Sequence, residues 1–339
     1  MLYLDFDLIL TQSYNFDCYF AQNFQKMQKI LVTDLVHDLL LEGFEKAGFQ
    51  VDYFPEISYT DVFKIIDQYS GLIINSKILV DKKFIDRAIN LKFVGRLGSG
   101  MEIIDKEYAG QKGIGVFNSP EGNCNAVAEH ALGMLLCLAN NLIDSDREVR
   151  NFEWHREKNR GFEISGKVIG IIGFGYTGES FAQKLLSWDV KILVHDKYKK
   201  EINTQGGRIN LVSKDELFAE SDIISMHLPL TEETKYYVNE EFFNNWRKKG
   251  ILINTSRGKI VQSSALLEAL TEAKLVGACL DVFENEKPEN YSPKEKEFYK
   301  ALFDLKNIVV SPHIAGWTFE SKQKLSNTLL NKILNFLNI

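Results

Sequence analysis

Lys167-Val-Ile-Gly-Ile-Ile-Gly-Phe-Gly-Tyr-Thr-Gly178, followed by ESFAQKLLSW (179–188), is the stretch on which the fold of this chain turns. A short apolar, β-branched run ends at Ile172, three glycines follow as G-x-G-x-x-G, and a helical pattern opens at once. Glycines recur in many turns, so the triplet carries weight only in this strand–turn–helix context. There, Gly173 permits the tight turn, Gly175 lets the backbone approach a pyrophosphate, and Gly178 lets helix and strand pack closely. The helix start offers N–H groups and a positive dipole end to the phosphates. The next strand, VKILVH (190–195), finishes at Asp196, 18 residues beyond Gly178. A carboxylate there accepts hydrogen bonds from a ribose and repels a 2′-phosphate, which predicts NAD rather than NADP. Lys197, Lys199 and Lys200 work slightly against that preference.

Working outward, the strand candidates DIISMHL (222–228), GILINT (250–255), LVGACLDV (275–282) and NIVVS (307–311) follow, most of them separated by helical segments. On the N-terminal side, KILVT (29–33), FQVDYF (49–54), GLIIN (71–75) and KFVGRLGSG (92–100) alternate with VHDLLLEGFEKAG (36–48), DVFKIIDQY (61–69) and DKKFIDRAI (81–89). Alternation of this kind marks βαβ units and parallel sheets. The fold class is therefore α/β, with two doubly wound parallel-sheet domains: a flavodoxin-like domain and, inserted into it, a Rossmann NAD-binding domain. The expected boundaries are 27–120 with 316–339 for the first and 121–315 for the second. A long apolar helix, 126–142, follows a hinge candidate at 118–123 that is punctuated by Pro120 and Gly122. The last helix spans 320–337. Residues 288–305 read as a charged insertion, a surface loop with a short helix.

Residues 1–26 fit neither domain. Acidic residues interrupt the apolar run and no cation precedes Lys26, so this is no secretory signal. It is either an additional strand or a start displaced from Met27. The remaining composition is that of a globular protein: 339 residues, 45% hydrophobic, 25% charged, net charge −6. The acidic balance gives no general attraction to nucleic acid or anionic lipid. No run approaches the length of a membrane helix. Cys18, Cys124, Cys137 and Cys279 show no CxxC pair and no metal-ligand spacing, so no metal is expected and the thiols read as reduced, cytoplasmic and largely buried.

Ligands of open α/β sheets bind outside the carboxyl ends of the strands. In the second series those ends carry Gly173, Asp196, His227, Arg257, Asp281 to Glu286, and His313. An arginine fork suits a carboxylate, a histidine donates a proton near neutral pH, and an adjacent glutamate favours its charged form. Beside a nicotinamide, Arg257, Glu286 and His313 describe the reduction of a keto acid. Structural roles for each residue alone are common; their collection at one sheet edge is what argues for a site.

These residues resemble the D-2-hydroxyacid dehydrogenase family, which contains D-3-phosphoglycerate, glycerate and D-lactate dehydrogenases. Five motifs occur in the family's order: Arg96-Leu-Gly-Ser-Gly100, Val127-Ala-Glu-His130, the glycine triplet, Asn254-Thr-Ser-Arg257-Gly, and Leu280-Asp-Val-Phe-x-x-Glu286 leading to Pro312-His313. The resemblance implies Arg257 on the substrate carboxylate and carbonyl, His313 as acid/base, and Glu286 orienting it. It implies Ser99 and Gly100 at the carboxylate through backbone N–H groups, Asp281 at the nicotinamide carboxamide, and Tyr176 and Thr177 along the pyrophosphate. His227 and Thr255 are read with the cofactor set. The apolar helix resembles a dimerisation helix, implying a homodimer and structural roles for Glu129 and His130. The stretch from Glu286 to His313 is longer than usual, and with no amino-acid-binding regulatory domain read after Ile339 the resemblance implies no serine feedback. Arg96 and Arg156 match phosphate-binding positions, whereas Asn75 stands where an arginine is usual. The implied substrate is D-3-phosphoglycerate, in serine biosynthesis, with glyoxylate or hydroxypyruvate next. An NAD-sensing corepressor on the same fold is the reading from another class.

Overall fold

A computed structural model describes residues 28–339; the N-terminal segment 1–26 and its alternatives lie outside the described residues. The chain forms two compact units. Residues 28–97, 103–117 and 329–339 make the smaller, and residues 98–102 and 118–328 the larger. Compared with the expected boundaries, 98–102 and 118–120 group with the larger unit, and the return falls inside the last helix. Local bonding explains the first shift: Asn118 Nδ2 donates to Ser99 O (2.7 Å), and Ser119 N donates to Gly98 O (3.0 Å).

The smaller unit holds β1 (Lys29–Val32), α1 (Asp38–Lys46), β2 (Gln50–Tyr53), α2 (Tyr59–Ile65), β3 (Gly71–Ile74), α3 (Lys82–Arg87), β4 (Phe93–Arg96), α4 (Lys106–Gln111) and β5 (Gly115–Asn118), whose last residue already groups with the larger unit. The sheet order is β2-β1-β3-β4-β5, and the pairings of β1 through β4 are parallel. That is the flavodoxin-like order. Gly48, at φ +88, ends the first crossover helix, as a helix-terminating glycine does. Leu329, Leu330 and Ile333 of the last helix are buried here, Leu330 over Gly43 and Ile333 over Gly95.

The larger unit begins with α5 (Pro120–Ala139) and α6 (Leu142–Arg150). The expected helix 126–142 thus starts earlier and stops earlier. Pro120 occupies the first turn, where its missing N–H costs nothing, and Asn141 turns left-handed at φ +50. The hinge candidate is largely helical for the same reason, with Gly122 pressed against the backbone of Leu325.

The Rossmann core follows: β6 (Val168–Ile172), α7 (Tyr176–Leu185), β7 (Lys191–His195), β8 (Ile209–Leu211), α8 (Lys214–Glu220), β9 (Ile223–Met226), α9 (Glu240–Asn245), β10 (Gly250–Asn254), α10 (Ser263–Thr271), β11 (Leu275–Leu280), α11 (Pro293–Phe303) and β12 (Ile308–Val310), before α12 (Phe319–Leu337). The all-parallel sheet runs β12-β11-β10-β9-β6-β7-β8, so strand order reverses between β6 and β9. Strand β8, only three residues at an edge, has too few alternations to be read from sequence. Alternate residues feed opposite faces: Leu252 packs with Ile224, Met226 and Leu280, while Ile251 and Ile253 pack with Ile169, Ile171 and Cys279. The charged insertion proves to be an eleven-residue helix with a capping box, Ser292 with Glu295, that buries Tyr299 and Leu302 in the first of these cores. No single helix among the described residues is long and apolar enough to cross a membrane.

Candidate active site

The reversal of strand order puts the ends of β6 and β9 side by side. Gly173 takes φ +90, and a Cβ there would lie 2.4 Å from the His227 carbonyl oxygen. A Cβ on Gly178 would lie 2.2 Å from the Gly173 carbonyl oxygen, whereas one on Gly175 would meet nothing within 4 Å. The outer glycines are thus demanded by packing, and the middle one faces open space. Gly175 caps α7 without a side chain, so no side-chain oxygen takes the N–H groups of the first turn, where Tyr176, Thr177 and Gly178 lie. This cradle fits a pyrophosphate.

Asp196 ties the second strand to the loop. Its carboxylate accepts from Phe174 N (2.8 Å), Tyr198 N (2.9 Å) and Lys199 N (3.1 Å). Burial pushes its pKa up, but these backbone donors outweigh it, and the carboxyl is held below its ordinary range. A carboxylate has about four acceptor sites, which leaves room for a ribose hydroxyl. Lys197 is paired with Glu233, and Lys199 lies over the Phe174 ring, 5.4 Å from its centroid.

Two neighbouring strand ends carry polar atoms without partners. His227 Nε2 meets Ser225 Oγ at 2.8 Å, while its Nδ1 and Thr255 Oγ1 are sealed and unbonded. Some of His227 reaches the surface, but burial of the ring lowers its pKa to about 3 and keeps it neutral. An orphaned buried polar group costs about 1–3 kcal/mol, and both lie where β9 and β10 end.

On the other side of the edge, Asn254 is wholly buried and shapes the turn that presents Arg257. Its side chain accepts from Ser256 N and donates to Arg257 O, both at 3.1 Å. Gly258 must be glycine, because a Cβ would lie 1.8 Å from the Phe283 carbonyl oxygen. Arg257 Nε donates to Glu102 Oε1 (2.7 Å) and Nη1 to Ser256 O (2.7 Å). His313 Nδ1 and Glu286 Oε2 are 2.7 Å apart. Burial raises the Glu286 pKa, but the bond and charge of His313, the Phe283 N–H and the Arg257 charge together lower it. It is therefore an ionised partner for the imidazole.

His313 stands at φ +57, uncommon for a residue with a side chain. Asp281 holds it there: its carbonyl accepts from His313 N (2.7 Å), and its fully buried carboxylate accepts from Ser311 Oγ (2.6 Å), Ile314 N (2.9 Å) and Ala315 N (2.8 Å). This loop-holding role differs from the one the family resemblance implied for Asp281, at the nicotinamide carboxamide. His130 supports it, with Nε2 2.9 Å from Ser311 Oγ, and Glu129 pairs with Lys184 at 3.0 Å.

Ser99 is fixed by donating to Asn123 Oδ1 (3.1 Å), within the same loop as Gly100. Arg96 belongs to the smaller unit, where it is buried and its Nε donates to Asn75 O (2.9 Å). Arg156 is exposed. Sequence reading missed Glu102, one of 46 acidic residues, whose only signal was standing two positions after Gly100.

The NAD-binding-domain model of the D-isomer specific 2-hydroxyacid dehydrogenases matches residues 132–315. Among relatives, a D-3-phosphoglycerate dehydrogenase of Archaeoglobus fulgidus is 33% identical over 91% of this chain and 57% of its own length. A hydroxypyruvate reductase of Thermotoga maritima is 34% identical over 82% of this chain and 88% of its own. The chain thus spans little more than half of the phosphoglycerate dehydrogenases it matches. The D-lactate dehydrogenase of Aquifex aeolicus, solved with NAD and lactic acid, superposes with a TM-score of 0.79 at 25% identity, covering 92% of this chain and 96% of that one. This chain belongs to the D-isomer specific 2-hydroxyacid dehydrogenase family, whose NAD-binding domain it carries.

Proposed function

We propose that this chain interconverts a small 2-hydroxy acid and its 2-oxo acid, with His313 as acid/base, Glu286 as its partner and Arg257 as anchor of the substrate carboxylate. The observation that carries this reading is the 2.7 Å Glu286–His313 bond within the electrostatic reach of Arg257. NADH supplies the hydride when bound. Arg257 aligns the carboxylate and draws charge towards the carbonyl oxygen. His313 delivers a proton to that oxygen from Nε2, the ring nitrogen that Glu286 does not engage, as the hydride arrives. Glu286 fixes the ring through Nδ1 and stabilises the imidazolium. Gly173, Gly175, Tyr176, Thr177 and Gly178 serve the pyrophosphate, Asp196 the ribose, and the strand ends of His227 and Thr255 the nicotinamide end, while Asp281 acts through the His313 turn that it holds. Ser99 and Gly100 serve the substrate carboxylate through backbone N–H groups. In this reading the larger unit is the nucleotide domain, and it also carries Ser99, Gly100, Arg257 and His313.

D-3-phosphoglycerate, in serine biosynthesis, is the first substrate reading, supported by the relative from Archaeoglobus fulgidus. Asn75 in place of an arginine, and the nearly full-length match to the hydroxypyruvate reductase, favour hydroxypyruvate or glyoxylate as the second. An NADH-oxidation panel over 3-phosphohydroxypyruvate, hydroxypyruvate, glyoxylate, pyruvate and 2-oxoglutarate separates them. NADH binding without turnover on any acid would sink the enzyme reading in favour of an NAD-sensing protein. The second copy of a homodimer would cover the exposed Leu142, Ile143, Val149, Phe152 and Trp154 on and after α6. Among the described residues Cys124, Cys137 and Cys279 are free thiols, which suits a reducing cytoplasm.

A further inference from the structure

Arg257 carries five N–H donors in a rigid plane, and the plane can present either of two edges to a carboxylate. The side-on edge uses Nε with Nη2; the end-on edge uses Nη1 with Nη2. The Nε–H is spent on Glu102 Oε1 at 2.7 Å, and one Nη1 hydrogen on Ser256 O. Both side chains of the ion pair are largely shielded, at 23% and 29% exposure, so water screens it less than a surface pair. Glu102 reaches Arg257 from the loop that also carries Ser99 and Gly100.

We infer that Glu102 is a positioning residue: it locks the guanidinium by its Nε–H so that the end-on edge meets the substrate carboxylate. The inference rests on the reading of Arg257 as the carboxylate anchor and extends it by naming the group that sets its orientation. An unlocked guanidinium still carries its charge but samples orientations in which the 2-oxo acid lies askew to the hydride donor. Misalignment of this kind lowers kcat more than it raises KM.

The test is steady-state NADH oxidation with glyoxylate and with hydroxypyruvate, on the full chain, for Glu102→Ala, Glu102→Gln, Arg257→Lys and the Glu102→Ala/Arg257→Lys pair. The Glu102→Ala change should lower kcat/KM by about 10–100-fold, the range for a hydrogen bond to a charged group, chiefly through kcat and with NADH affinity unchanged. The Gln variant keeps an acceptor oxygen and should recover most of that loss. In the Arg257→Lys background, which lacks the Nε donor, the Ala change should cost less than about threefold, a non-additivity that a general packing role would not produce. Equal losses in both backgrounds, or wild-type kcat/KM in Glu102→Ala, overturn the positioning role while leaving Arg257 in place. An Arg257→Lys variant as active as wild type overturns both. If Glu102→Ala fails to fold, the near-isosteric Glu102→Leu in the two backgrounds decides: a loss of about 10–100-fold with Arg257 present and of less than about threefold in the Arg257→Lys background, which lacks the Nε donor, sustains the inference, and equal losses or none reject it.

Discussion

The carboxyl edges of the two parallel sheets are made of similar residues and left in opposite states. In the smaller sheet the polar groups satisfy one another: Thr33 Oγ1 donates to Asp34 Oδ2 (2.8 Å), Asn75 N donates to the same oxygen (2.9 Å), and Arg96 Nε closes on Asn75 O. In the larger sheet His227 Nδ1 and Thr255 Oγ1 have no partner, and Gly173 and His313 hold left-handed backbone. Both sheets have a switch point, so topology alone offers two crevices. An orphaned buried atom calls for an explanation, and a residue with a side chain keeps a positive φ only where surrounding structure enforces it. The larger sheet's edge is the one left chemically incomplete.

The contrast breaks most directly at the proton. His313→Gln should leave NADH affinity nearly intact and slow keto-acid reduction by about 10²–10⁴, the usual contribution of a positioned acid or base. Rapid-quench and equilibrium-binding measurements separate the two. His313 and Arg257 hold the Glu286 carboxyl below its ordinary range, so the acid limb of kcat/KM that protonation of Glu286 produces below pH 4.5 should be absent in Glu286→Gln. Superimposable profiles for wild type and Glu286→Gln would dissolve the pair.

Arg257→Lys keeps the charge and loses the planar fork, so KM for the keto acid should rise and kcat fall together, by about 10-fold or more overall. Steady-state kinetics at saturating NADH read this out. Asp196→Ala should act on the cofactor alone, narrowing the preference for NADH over NADPH. Because Asp196 also anchors Phe174 N, some loss of NADH affinity should accompany it. Wild-type protein that already uses NADPH as well as NADH would remove Asp196 from the ribose.

The smaller edge is sharpened by Arg96→Gln. Loss of the buried donor to Asn75 O should destabilise that sheet by about 1–3 kcal/mol in chemical denaturation; an unchanged midpoint would show that the polar groups of this edge do not depend on one another. The smallest effect belongs to Ser292→Ala, in the larger unit but in the cap of α11. Losing the cap should lower the thermal midpoint by about 2–4 °C and leave kcat/KM alone. Its partner Glu295 has its pKa held at about 2, against 4.5 ordinarily, by Ser292 and Asn285. A depressed carboxyl contributes stability above pH 4.5 that disappears as pH falls towards 2, so the Ser292→Ala deficit should shrink in acid. A change in kcat/KM here would show that the active edge extends into the insertion.

Much of this was legible from residue order alone. Gly173, Gly175 and Gly178 between a strand and a helix fixed the nucleotide cradle, because backbone conformation and close approach are local demands that only glycine meets. Asp196, Arg257, Glu286 and His313 could be named because parallel strands bring their carboxyl ends to one edge, a consequence of the period and direction of the chain. What lies beyond was decided in three dimensions. The three-residue strand β8 exists through pairing with β7, α11 is more than a surface helix because Tyr299 and Leu302 find a core, and Glu102 meets Arg257 across 155 residues. Asp281 grips the His313 turn only because β11 and β12 are neighbours. Periodicity and turn chemistry are written within a few residues, whereas the partner of a buried charge is chosen by whichever distant segment the folded chain brings within hydrogen-bonding reach.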